Sequence, residues 1–188
     1  MYKCLNIEKN CRLYASLFGM IVLGCNHPSA YEKLVERELG KGHRQDSLFL
    51  GVTFGMTQRQ FYDHITPLGY QGIVKQGGDM SVLCEIDSFS NPININFFPK
   101  FRNNRIYELP LIFTYRDWMP WREDTKVDRL LEEVLLFTKQ HYGDDFIEIK
   151  NPKNDQVAYV MVEGNRRISV FIDNYDKVKV RFTDLSEN

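Results

Sequence analysis

Two widely separated helix signals, each followed by a run of short strand-like segments, constrain this chain more than any other feature. The sharper signal is Met56-Thr57-Gln58-Arg59-Gln60-Phe61. Thr57 can accept a hydrogen bond from the Gln60 amide while the Gln60 side chain reaches back to the Thr57 amide, and Met56 and Phe61 occupy the positions of a hydrophobic staple. The helix is expected to stop near Ile65, because Pro67 disfavours helical geometry at Thr66. Ser47–Gly55, just before it, reads as a first strand or extended entry segment. Strand-type segments come after it at Gly72–Lys75, Ser81–Asp87, Ile93–Phe98 and Arg105–Thr114. Asn103-Asn104 between the last two is a hairpin turn signal, since asparagine tolerates positive φ.

The second signal lies between Lys126 and Tyr142. Val127, Leu130, Leu131, Val134, Leu135, Thr138 and Tyr142 recur at helical spacing and predict a helix facing a core. Thr125 with Asp128 is expected to cap its start, and Gly143 its end. Strands are expected at Phe146–Ile149, Val157–Glu163, Arg166–Asp173 and Val178–Thr183, with turns at Glu163–Arg166 and Asp173–Asp176. In the last strand Val178, Val180 and Phe182 alternate with Lys177, Lys179 and Arg181, the pattern of a sheet with one face in water. Isolated helices between runs of strands predict an α+β fold, with helices packed on one face of an antiparallel sheet. Residues 48–185 are read as a single domain built from two similar helix-plus-meander units, about 51–115 and 120–185.

The amino-terminal region points to an address. A basic start (Lys3, Lys9, Arg12) leads into the apolar run Leu13–Leu23, which ends at Gly24-Cys25. That run is too short to span a bilayer as a helix and has the build of a secretory signal peptide. Val22-Leu23-Gly24-Cys25 resembles a bacterial lipobox. The resemblance implies cleavage after Gly24, lipid on Cys25, and a membrane-anchored, periplasm-facing protein at the outer membrane. Residues 25–47 are then read as a tether carrying one short helix. Ser29 and Glu32 form its capping box, and Tyr31, Leu34, Val35 and Leu39 its apolar stripe.

Charge and cysteine content narrow the function classes. The full chain has a formal charge of −1. Removing Lys3, Lys9, Arg12 and Glu8 with the leader makes it more negative, so no basic stripe suited to nucleic acid is expected. Cys4 and Cys11 would leave with the leader and Cys25 would carry lipid. Cys84, in the apolar run Ser81–Ile86, then has no partner and reads as a buried small hydrophobe. Neither a zinc-ligand spacing nor a P-loop, GxSxG or GxGxxG motif is present, so no cofactor, metal or catalytic set is assigned.

Gly55-Met56-Thr57-Gln58-Arg59-Gln60 resembles the helix start of small outer-membrane lipoproteins of the BamE type and of relatives with the β-lactamase-inhibitor-protein fold. The hairpin Phe98–Leu111 resembles a strand pair of that fold. Leu48–Gly51, Phe54–Thr57, Phe61-Tyr62 and Phe182–Leu185 together resemble an uncharacterised family of lipoproteins from Gram-negative anaerobes. These resemblances imply a fold and a location, and no activity.

The candidate binding surface is the loop Tyr115, Arg116, Asp117, Trp118 and Trp121, where aromatics could stack on a sugar or on a partner's side chains. The alternative is that both indoles plug the end of the core. The leading functional expectation is a non-enzymatic binding or scaffold module, tethered to the bilayer through Cys25 and engaging an envelope protein or polymer. A small envelope hydrolase or carbohydrate-active enzyme using carboxylates near Trp118 and Trp121 is the first alternative, and an inhibitor of an envelope enzyme the second. Arg166-Arg167 is expected to be solvated at a hairpin tip.

Overall fold

The computed structural model describes residues 28–151 and 155–187. The leader, Cys25 and His27 lie outside the described residues. Within them the order is α1 (Ala30–Gly40), α2 (Gln58–Tyr70), β1 (Lys75–Gln76), β2 (Val82–Ile86), β3 (Ile93–Phe97), β4 (Lys100–Arg102) and β5 (Arg105–Tyr115). Then come α3 (Val127–Tyr142), β6 (Ile147–Lys150), β7 (Val157–Glu163), β8 (Arg166–Asn174) and β9 (Lys177–Asp184). The fold is α+β, and every strand pairing is antiparallel.

The strands form one continuous sheet, ordered β1-β2-β3-β5-β9-β8-β7-β6, with β4 paired to β5 as the short arm of a hairpin. The two sequence units therefore meet through their last strands, in the register Leu109↔Phe182, Leu111↔Val180, Phe113↔Val178. That register places the apolar residues of β3, β5, β9 and β8 in shared cross-strand rows. Ile95, Phe113 and Val178 make one row, and Phe97, Leu111, Val180 and Val170 the next. Each of these side chains is at most 2% exposed.

Both unit helices cover this face. Phe61 and Ile65 of α2 join the same apolar cluster as Leu130 and Val134 of α3. Phe61 meets Phe98 edge to face at 5.8 Å, and Phe137 meets Phe113 at 6.0 Å. Cys84 lies in this core, where burial pushes its thiol pKa up.

Four local expectations are corrected. The α2 helix does not end near Ile65. Pro67 sits inside it, and the helix closes three residues later in a Schellman motif, with Ile73 N–H on Leu68 C=O (3.0 Å) and Gly72 N–H on Gly69 C=O (3.0 Å). Only one backbone bond is lost to the proline, and burial of Ile65 with packing of Leu68 offsets it.

Thr125 does not cap α3. It is 1% exposed, and its hydroxyl donates to Arg122 C=O (3.2 Å), which leaves Lys126 at the cap position with no side-chain bond. The segment Gly72–Lys75 contributes strand only from Lys75. Ser47–Gly55 forms no strand: it holds the 3-10 turn Phe49–Gly51, with Leu50 at φ 51°, inside an isolated bridge between Ser47 and Thr53. His64 donates from Nε2 to Leu50 C=O (2.7 Å) and holds that turn against α2.

The segment read as a tether is docked from Ala30 onward. The capping box of Ser29 and Glu32 starts α1. Its Tyr31, Leu34 and Val35 pack on Val160, Val162 and Leu185, on the sheet face opposite α2 and α3. One helix thus covers part of the second face.

The chain leaving α1 is locked at the β7–β8 hairpin. Gly164 (φ 56°) runs so close to His43 that a Cβ there would lie 2.3 Å from the His43 carbonyl oxygen. Gln45 N–H donates to Asn165 Oδ1 (2.7 Å), and Asn165 Nδ2 donates to Asp184 Oδ1 (3.0 Å). Arg44 reaches Asp184 Oδ2 at 3.1 Å.

Arg166, expected in solvent, is 4% exposed. It donates to Ser47 C=O (2.7 Å) and to Glu163 (2.6 Å), with its guanidinium 5.2 Å from the centre of the Tyr142 ring. Burial lowers the Arg166 pKa and pushes the Tyr142 phenol up to about 12.

Burial alone would raise the Asp184 pKa, but hydrogen bonds from Ser186 and Asn165, with Arg44 nearby, bring it below the ordinary carboxylate value. A depressed folded pKa gives stability that is present above the unfolded value and lost as pH falls through the folded one. Asp184→Asn should therefore cost about 2 kcal/mol at neutral pH, the scale of hydrogen bonds to a buried charge. The gap to wild type should close as pH falls below 3.8, read by urea unfolding at a series of pH values.

Candidate functional site

The expected binding loop is divided by the structure. Tyr115 is the last residue of β5, 3% exposed and part of the core, where burial raises the pKa of its hydroxyl. Arg116 continues past β5 and pairs with Asp87 at 3.1 Å. Asp117 is exposed. Trp118 packs against the apolar cluster, with its ring 5.3 Å from that of Tyr175 in the β8–β9 turn. Trp121 is 74% exposed. One indole therefore closes the core and the other stands in solvent. The loop is a corner around Trp118, with Trp121 projecting from it.

Beside Trp118 is an open cleft of about 630 Å³, lined also by Met119, Arg122, Lys126, Asp128 and Tyr175. Asp128 is its single carboxylate. Asp124 is held by Arg122, whose guanidinium lowers its pKa. Glycoside hydrolysis needs two carboxyl groups flanking one bond, about 5–9.5 Å apart, and this cleft does not bring two together. Among the described residues no group of three or more His, Cys, Asp or Glu could hold a metal ion. His64 and His141 donate to the backbone carbonyls of Leu50 and Phe137, so both are engaged structurally.

A larger concavity lies at the opposite side of the core, where the motif reading placed nothing. α2 and the β1–β2 edge of the sheet enclose a groove of about 710 Å³. Its walls include Tyr62, Ile65, Val74 and Val82, and its rim includes Tyr70 and Met80. The rim residues are the most exposed large apolar side chains of the described chain, at 88% and 81%. Tyr62, in the wall, is itself 45% exposed. Contiguous exposed apolar surface around a concavity marks a binding site more often than scattered apolar residues do.

The groove is held open by local backbone. The Schellman turn at Gly72 sends the chain away from α2, and the next turn places Asp79 (φ 50°) and Met80 (φ 60°) in the left-handed region. For residues with a Cβ that conformation costs about 1–2 kcal/mol each. Ser81 supports the turn by donating to Gly78 C=O (2.6 Å). The fold thus carries strain to display Met80 to solvent, the kind of arrangement concentrated at binding sites. The sequence did contain a signal: Tyr70 and Met80 flank a glycine-rich stretch and belong to no apolar stripe.

The two tryptophans should separate experimentally. Trp121→Ala should change unfolding free energy by no more than about 0.5 kcal/mol and remove most iodide-quenchable fluorescence. Trp118→Ala should cost about 2 kcal/mol, below the 3–5 of a fully buried indole. Compared with known proteins, the chain matches no family model, no curated protein and no solved structure.

Proposed function

We propose that this chain is a lipoprotein, cleaved after Gly24 and acylated at Cys25, that faces the periplasm from the outer membrane. It serves there as a non-enzymatic binding module of the cell envelope. The anchor rests on the basic start, the apolar run Leu13–Leu23 and the lipobox-like Val22–Cys25. The observation that carries the binding role is the groove between α2 and β1, rimmed by exposed Tyr70 and strained, exposed Met80. Exposed Trp121 supports a second, smaller contact at the other corner. The hydrolase reading is disfavoured by the Trp118 cleft, which offers Asp128 alone.

Among the described residues no helix is long and apolar enough to cross a membrane, so the proposed attachment depends on Cys25. Cys25→Ser should move the protein from the membrane fraction to the soluble fraction. Unchanged fractionation contradicts the anchor. For the groove, a photo-crosslinking residue at Met80 should trap an envelope component in cells, and Tyr70→Ser should reduce that adduct about tenfold, the loss of one central aromatic anchor. Trapping at Trp121 with none at Met80 would move the binding site to the Trp corner.

A further inference from the structure

On the second face of the sheet α1 packs over β6 and β7 and reaches Leu185, and Arg167 of β8, through its first turns, while the rest of β8, with β9 and β5, lies beside it. The open part carries Lys177, Lys179 and Arg181 of β9 and Phe171 of β8, with Arg167 at its border with α1. Lys179 is matched by Asp173 at 2.6 Å. Two further pairs on this face are likewise internal, Lys75 with Glu85 and Lys100 with Glu108. Lys177, Arg181 and Arg167 have no carboxylate partner among the described residues. Arg181 lies with its guanidinium carbon 5.0 Å from the centre of the Phe171 ring, and Arg167 donates to the Tyr31 and Thr183 hydroxyls. A chain of net charge −1 therefore keeps an unmatched cationic strip on a single sheet face.

The course of α1 ties that strip to the amino terminus. Tyr31, in its first turn, touches Arg167 of β8, whereas Glu38 and Lys41, at its end, line a pocket with Phe146 and Ile147 at the β6 edge. The helix thus points its amino terminus inward over the open face. Only Asn26, His27 and Pro28 separate Cys25 from the cap Ser29, and four chain steps reach at most about 14 Å.

We propose that the open face of β8 and β9 rests on the anionic lipid surface in which Cys25 is anchored, with Lys177 and Arg181 as its headgroup contacts and Arg167 held beside them under α1 by Tyr31 and Thr183. The proposal rests on acylation of Cys25. Each basic side chain near an anionic bilayer contributes about 1 kcal/mol, within a Debye length of about 8 Å at physiological salt. Such a patch supplements the acyl anchor and fixes which side of the domain faces the lipid. In this pose α2 and α3 face away from the bilayer. The α2–β1 groove then lies six strand spacings from β7, about 29 Å across the sheet, and stays free for a partner.

The test is a lysine acetylation footprint of the protein purified from membranes with its anchor and reconstituted into vesicles. In vesicles containing phosphatidylglycerol, Lys177 should be acetylated about fivefold less than in pure phosphatidylcholine, while Lys126 and Lys139 on the helical face do not change. High salt should reverse the protection, and Arg181→Gln should weaken it. Equal labelling of Lys177 in both vesicles, or protection of Lys126 and Lys139 instead, overturns the proposal while the anchor stands. Failure of the protein to float with either vesicle refutes the acylation itself and this proposal with it.

Discussion

The pairing of β5 with β9 is the contact on which the rest of the molecule depends. Each half of the chain makes a helix and a short meander, and neither meander has a second layer of strands to pack against. Joined through Leu109↔Phe182, Leu111↔Val180 and Phe113↔Val178, the two meanders become one sheet whose apolar rows run from β2 to β8. That width gives α2 and α3 a common surface to bury. It also places the least protected strands, two-residue β1 and four-residue β6, at the two edges.

Much of this was legible because it is local. Thr57 with Gln60, Ser29 with Glu32, the Asn103-Asn104 turn and the alternation of β9 each declare themselves within a few residues. The sequence could not show which elements meet. The α2 helix survives Pro67 because packing of Leu68 and the turn at Gly72 outweigh one missing backbone bond. Arg166 is buried because Ser47, Glu163 and Tyr142, distant in sequence apart from Glu163, converge on it. Residues 25–47 read as a tether with one short helix, yet from Ala30 onward the packing of α1, the close approach of Gly164 to His43 and the Asn165–Asp184 lock make them part of the structure. Tyr115 looked like half of an aromatic loop, but the period-2 alternation of β5 turns it inward.

The candidate site followed the same division. The Trp-rich loop was found by composition, which detects unusual residues without their orientation. The groove between α2 and β1 was missed because it exists only between elements, and its strongest marks are exposure and backbone strain at Met80. Both concavities open on the helical side or edge of the sheet. The opposite face carries α1 and the unmatched cations. The sheet is thus two-sided, with α2, α3 and the grooves on one side and α1 with the unmatched cations on the other, an arrangement that fits the proposed role of holding a partner above a membrane.

Both faces of the sheet depend on the two meanders forming one cooperative body joined at β5–β9. Native-state hydrogen exchange tests this most directly, because amides protected by one cooperative unit share one opening free energy. For a single body, the slowest amides of β3, β5, β9 and β8 should exchange with the same free energy and respond in parallel to added denaturant. Separate free energies for β2–β5 and for β7–β9, with one half opening while the other stays closed, would contradict it.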